Sequence, residues 1–191
     1  MAERGRRGRE HGSVPAVEEV RVALAGNPNV GKSSLFNHLT GAHQHVGNWP
    51  GKTVERHTGT TELGGVRLTV TDLPGTYSLS AGSPEEVVAE DALIGTDLDV
   101  VAVVLDSTNL ERNLYLAAQV AELGCPMVLV LNMSDAAAAD GFRIDDERLA
   151  AIFGAPVVRT VARTGEGLEA LTAALVTVGV PVSHPQRAGA A

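Results

Sequence analysis

Gly26-Asn27-Pro28-Asn29-Val30-Gly31-Lys32-Ser33, with Ser34 behind it, follows the spacing G-x-x-x-x-G-K-[ST]. That spacing makes a phosphate cradle. Glycine at both ends lets the backbone wrap an anion with no Cβ in the way, so successive amides point inward. A helix opening at Lys32 adds the positive potential of its N-terminus. Lys32 can set its ammonium on β- and γ-phosphates, and the Ser33 hydroxyl is a hard oxygen ligand for Mg²⁺. A strand before the loop and a helix after it are what separate this reading from a chance glycine-rich turn.

Asp72-Leu73-Pro74-Gly75 supplies the next chemistry. The Asp72 carboxylate is a second Mg²⁺ group, acting through water, and the Gly75 amide can report a γ-phosphate. The following Gly-, Ser- and Thr-rich stretch, 76–83, predicts a switch segment. Asn132-Met133-Ser134-Asp135 sets the base. A carboxylate at Asp135 accepts from N1–H and the exocyclic amine of guanine together, a donor pair that adenine lacks; the penalty for an unpaired carboxylate makes this discriminating. Thr53, in the loop that also holds Gly51, can close over the nucleotide and offer Mg²⁺ another hydroxyl. Trp49, the only tryptophan, stands on the same loop and is expected to be exposed and mobile.

Those groups need strand ends to hold them. Val20–Ala25, Val100–Leu105, Met127–Leu131 and Val157–Val161 read as buried strands, and Val54–Glu62 with Val66–Thr71 as a hairpin around Gly64-Gly65. Helices are expected over Lys32–Leu39, Pro84–Ile94 (capped by Ser83), Asn109–Leu123, Asp146–Phe153 and Glu166–Val176. The alternation predicts an α/β fold: a P-loop, Ras-like domain with a mostly parallel six-stranded sheet between helices. Loops at the carboxyl ends of its strands then carry the ligand.

Composition agrees. The chain has 191 residues, 44% of them apolar and 3% aromatic, so the core must come from Val, Leu, Ile and Ala, as in a sheet covered on both faces. A net charge of −8 argues against nucleic acid as a partner, since phosphate neutralisation needs Lys and Arg. The lone Cys125 allows no internal disulfide and suits a reducing compartment; it is expected to be a small buried group. No apolar run approaches the ~20 residues that span a bilayer. Residues 1–18 are expected to be a disordered tail and 179–191 a flexible tail or linker, leaving 19–178 as the folded domain. His43 and His45 read as solvated loop residues.

Taken together, GNPNVGKSSLFNHLTG, VGNWPG leading to Thr53, DLPGTYSLS, SPEE and NMSD resemble the GTPase domain of the FeoB ferrous iron transporter family, over roughly residues 20–176. The NWPG stretch and Met133 within NMSD are more specific than a general GTPase pattern. The resemblance implies K⁺-stimulated hydrolysis of GTP to GDP. Asn29 and the carbonyls of Gly47 and Trp49 would hold K⁺, and Lys32, Asn29, Thr53 and Gly75 would form the catalytic set. It also implies that Glu85 and Glu86 order water, and that a membrane transporter domain is the partner, in the same chain or as a separate subunit at the cytoplasmic face of the membrane.

Departures from the family pattern bear on affinity. Its guanine-closing loop usually reads S-A-[KR], with the Ala amide on guanine O6; here it is Val161-Ala162-Arg163, so a hydroxyl that braces the loop is lost and nucleotide release is expected to be fast. Thr76, not Gln, follows Gly75, so no Gln side chain orients the water. The competing functional classes are a nucleotide-gated interaction switch and an RNA- or ribosome-associated GTPase.

Overall fold

A computed structural model describes residues 18–80, 82–95 and 98–180. The strands are β1 (Glu18–Gly26), β2 (Gln44–Asn48), β3 (Glu55–Leu63), β4 (Val66–Asp72), β5 (Val100–Asp106), β6 (Met127–Asn132) and β7 (Val157–Arg159). The helices are α1 (Lys32–Thr40), α2 (Pro84–Ile94), α3 (Leu110–Glu122), α4 (Ser134–Ala139), α5 (Asp146–Phe153) and α6 (Leu168–Gly179). Of the tails expected at 1–18 and 179–191, residues 1–17 and 181–191 lie outside the described residues, while Glu18 opens β1 and α6 runs through Gly179.

The strands form one sheet in the order β2-β3-β4-β1-β5-β6-β7. β1 pairs in parallel with β4 and β5, and β5-β6-β7 continue in parallel. The 54–71 hairpin is present as antiparallel β3 and β4. The sheet has seven strands, not six. The additional one is β2, an antiparallel edge paired only with β3. Its residues, QHVGN, are mostly exposed, so no burial alternation marks it in the sequence; its backbone pairing is what makes it a strand.

Burial on both faces explains the apolar central strands. Along β1, Val20, Val22 and Leu24 face α1 and α6, where Leu35, Phe36, Leu171 and Leu175 complete one core. Ala23 and Ala25 face the other core, filled by Ala89 and Leu93 of α2, Leu116 and Val120 of α3, and Leu149 of α5. Period-two alternation thus serves two cores at once. Ser83 caps α2, its hydroxyl accepting from the Glu86 amide at 3.2 Å, with Pro84 in the first turn. With both faces covered, the loops at the carboxyl ends of β1, β4, β6 and β7 converge on one rim.

Candidate nucleotide site

The loop after β1 folds as the cradle requires. Asn29 and Gly31 both take positive φ, 66° and 91°, a conformation that turns successive amides the same way. Gly31 tolerates no side chain for a second reason: a Cβ there would run into the Asn132 amide. Val30 is buried in the core, which anchors the loop from beneath. Its carbonyl accepts from Asn132 Nδ2 at 2.7 Å. Asn29, Gly31, Lys32, Ser33, Ser34 and Met133 line a hollow of about 380 Å³ above it. Asn27 is not among that lining; it is buried, and neither polar atom of its side chain has a partner among the described residues.

The end of β4 completes the phosphate side. Ser33 Oγ donates to Asp72 Oδ2 at 3.0 Å. Asp72 Oδ1 is buried with no partner among the described residues. Burial pushes this carboxyl up, against the pull of the Lys32 ammonium, the Ser33 hydroxyl and His57. Lys32 is 7% exposed, and burial holds its amine below the ordinary lysine range although Asp72 opposes the shift. Desolvation dominates at both groups. An orphaned carboxylate oxygen beside a hydroxyl is a hard-oxygen set that fits Mg²⁺, and a desolvated ammonium is poised for phosphate.

Leu73 to Thr76 lies directly on the cradle. The Leu73 amide donates to Leu24 O at 3.0 Å and the Thr76 amide to Gly26 O at 3.3 Å. Pro74 is half-buried between them. A Cβ on Gly75 would sit 3.1 Å from Pro28 Cα and 3.3 Å from Lys32 Nζ, so this position admits glycine alone without displacement. Further along, Glu86 holds the switch segment: its carboxylate accepts from Ser78 Oγ and the Gly82 amide, both at 2.8 Å. Gln119 Oε1 accepts from the Leu79 amide at 3.0 Å. Gln119 escapes sequence reasoning because it sits on α3, outside every motif. Glu85 is exposed.

On the base side, Gly31, Ser34, Met133, Asp135, Val161 and Arg163 are among the lining of a second hollow, of about 360 Å³. It shares Gly31, Ser34 and Met133 with the first, so the two form one groove running from phosphate cradle to Asp135. Met133 turns the chain with φ 58°, and Asp135 lies in the first turn of α4. The Ala162 amide, expected on guanine O6, donates here to Asn132 Oδ1 at 2.9 Å. Arg163 Nη2 lies 3.3 Å from Asp135 Oδ2.

The 44–54 segment stands elsewhere. Gly47 pairs with Arg56 in the β2–β3 ladder, and the Trp49 carbonyl accepts from the Lys52 amide at 3.0 Å. Trp49 is half-buried against the core beside Leu73 and Ala92, with the Arg56 guanidinium 4.9 Å over its ring; it is not the exposed side chain its loop position suggests. Gly51 and Thr53 are exposed. None of Gly47, Trp49, Gly51 and Thr53 lines the groove. The structure therefore gathers Asn29, Lys32, Ser33, Asp72 and Gly75 but leaves Thr53 and the two carbonyls implied for K⁺ apart. β-pairing and apolar burial of Trp49 are the forces that keep them there.

A seven-stranded, mostly parallel sheet with a P-loop after β1 and the Asp135 carboxylate after β6 defines the class: a Ras-like P-loop nucleotide-binding domain. A family model for ferrous iron transport protein B matches residues 20–175. A Porphyromonas gingivalis Fe(2+) transport protein A/Fe(2+) transporter FeoB fusion protein is 49% identical over 160 residues, covering 83% of this chain and 19% of its own length. The cytosolic domain of the T. maritima FeoB iron transporter in GDP form superposes with a TM-score of 0.84 at 44% identity, over 89% of this chain and 67% of that one. Its GMPPNP form gives 0.80 at 47%, over 83% and 63%. The chain belongs to the FeoB family. It spans about a fifth of the length of the curated relatives it matches.

Proposed function

We propose that this domain binds GTP and GDP with Mg²⁺, hydrolyses GTP to GDP and phosphate, and serves a ferrous iron transporter at the cytoplasmic face of the membrane. The observation that carries this reading is the groove running from Lys32 and Ser33, the latter bonded to Asp72, to Asp135. The fold supports guanine nucleotide binding, and the T. maritima relative has GDP and GMPPNP forms.

In hydrolysis, water attacks the γ-phosphorus, the bond from that phosphorus to the β–γ bridging oxygen breaks, and GDP leaves as phosphate forms. The P-loop amides and the Lys32 ammonium neutralise charge spreading over the phosphoryl oxygens. The Gly75 amide, on the loop that lies against Pro28 and Lys32, would bond a γ-phosphate oxygen. Ser33 and Asp72 would hold Mg²⁺, which when bound neutralises charge on the β- and γ-phosphates. Thr76 offers no carboxamide to orient the water, so its placement falls to backbone groups.

K⁺ stimulation belongs to the same reading. Asn29, exposed and in the groove, would provide a side-chain oxygen. The Gly47 and Trp49 carbonyls would join it, and Thr53 would reach Mg²⁺, once the 44–54 segment leaves its place on β3. The transporter's membrane domain is the partner this reading requires.

Turnover without an activating partner is expected on the order of 10⁻⁴ to 10⁻² s⁻¹, faster in KCl than in NaCl at equal ionic strength. Phosphate release measured in the two salts checks this, and equal rates would remove K⁺ from the mechanism. Asp135→Asn is expected to weaken GDP binding and move preference toward xanthosine diphosphate, as titration of both nucleotides would show. Unchanged GDP affinity in that variant would overturn the guanine assignment.

A further inference from the structure

We propose that Arg163 is a positioning residue for guanine recognition, its guanidinium standing in for the loop hydroxyl that Val161 lacks. This rests on the reading of Asp135 as the guanine acceptor. Val161 is 4% exposed and offers only methyl groups where the family pattern has a serine. The hydroxyls nearby are engaged elsewhere. Thr160 Oγ1 donates to Asn132 Oδ1 at 3.1 Å, Ser134 Oγ to Thr160 O at 3.1 Å, and Thr164 Oγ1 to Val161 O at 3.2 Å. The side-chain contact recorded at the Asp135 carboxylate is Arg163 Nη2, 3.3 Å from Oδ2.

The turn carrying Arg163 is held on both sides, so this cation is presented from a fixed base. The Val161 amide donates to Glu166 O, and the Thr164 and Gly165 amides both donate to Val161 O, each at 3.0 Å. The Ala162 amide is tied to Asn132.

A carboxylate offers about four lone-pair sites. One taken by the guanidinium leaves sites on both oxygens for N1–H and the exocyclic amine, while the planar cation limits rotation of the carboxyl group. The brace is exposed, with Arg163 at 79% and Asp135 at 44%. It is therefore weaker than a buried hydroxyl bond and sensitive to salt. Guanine affinity in this chain is accordingly set in part by ionic strength.

The test is release of fluorescent GDP and IDP from the full chain with Mg²⁺, followed by stopped flow. Arg163→Ala is expected to release GDP about two- to fivefold faster at low salt, the span of an exposed ion pair. The difference should fade near about 1 M KCl, where charges are screened within about 3 Å. IDP lacks the exocyclic amine, so its release should change less. Arg163→Lys should retain part of the effect. Val161→Ser added to Arg163→Ala should bring GDP release back toward the parent rate, with melting temperatures recorded for each variant. Parent-like release by Arg163→Ala at low salt would overturn the proposal. So would equal acceleration of GDP and IDP that persists at high salt, or failure of Val161→Ser to rescue in a variant that melts as the parent does. Asp135→Asn separates the premises: if it too leaves base preference unchanged, the guanine reading fails; if it alone acts, only Arg163 is wrong.

Discussion

The side chain of Asn132 ties three segments together. Its Nδ2 donates to Val30 O in the P-loop, and its Oδ1 accepts from the Ala162 amide and from Thr160 Oγ1 beyond β7. The residue is 2% exposed, so these bonds have no water to replace them. Sequence reasoning places Asn132 in the base-reading motif but does not show that it is also the clasp between phosphate and base ends of the groove. Its partners lie about a hundred and about thirty residues away, as the separations of 102 and 30 show. Asn132→Ala would leave the Val30 carbonyl and Ala162 amide buried and unpaired, at roughly 1–3 kcal/mol each. Denaturant unfolding is expected to show a loss of about 2–5 kcal/mol, together with weaker GDP binding; a loss under about 1 kcal/mol would mean that water fills the gap.

At the level of elements, legibility followed burial. Every strand buried on both faces can be read from its apolar run, and α2 from its cap at Ser83. β2 is missed because QHVGN buries almost nothing, and α4 because SDAAAA has no apolar stripe and reads as part of the NMSD loop. The strand expected to reach Val161 stops at Arg159, where the chain turns into the loop that carries Val161, Ala162 and Arg163. The consequence is functional: β2 and Trp49 hold the 44–54 segment off the groove, with Lys52 3.8 Å from Asp91 adding a weak exposed pair. Trp49→Ala is expected to cost about 1–3 kcal/mol, seen as a lower melting temperature. If the segment does leave its groove for the nucleotide, this variant should also bind a non-hydrolysable GTP analogue no more weakly than the parent. Selective loss of analogue affinity would show instead that the indole is needed at the nucleotide.

At the scale of the whole molecule, the sheet separates two cores, yet a ligand on its rim stabilises both, because binding to the folded state alone adds to global stability. Cys125 precedes β6, at the end of that strand opposite the groove, and reports on the second core: it packs there beside α2, its thiol donating to Leu93 O at 3.5 Å. It is half-buried rather than the fully buried group expected, and burial pushes the thiol up. A raised thiol favours the neutral form in the folded state. The stability it contributes is therefore present below the ordinary thiol range of about 8.5–9 and lost as pH climbs through the folded value. Because this side chain packs on the second core and bonds the Leu93 carbonyl, labelling by a bulky thiol reagent at pH 8 is expected to need that core to open. Mg²⁺–GDP at about 100 times its Kd adds about 2.7 kcal/mol and should slow labelling by about 100-fold when refolding outpaces the reagent, whereas ADP should leave the rate unchanged. A labelling rate indifferent to GDP would show that the end of α2 opens by itself, and that the rim and the second core do not unfold as one unit.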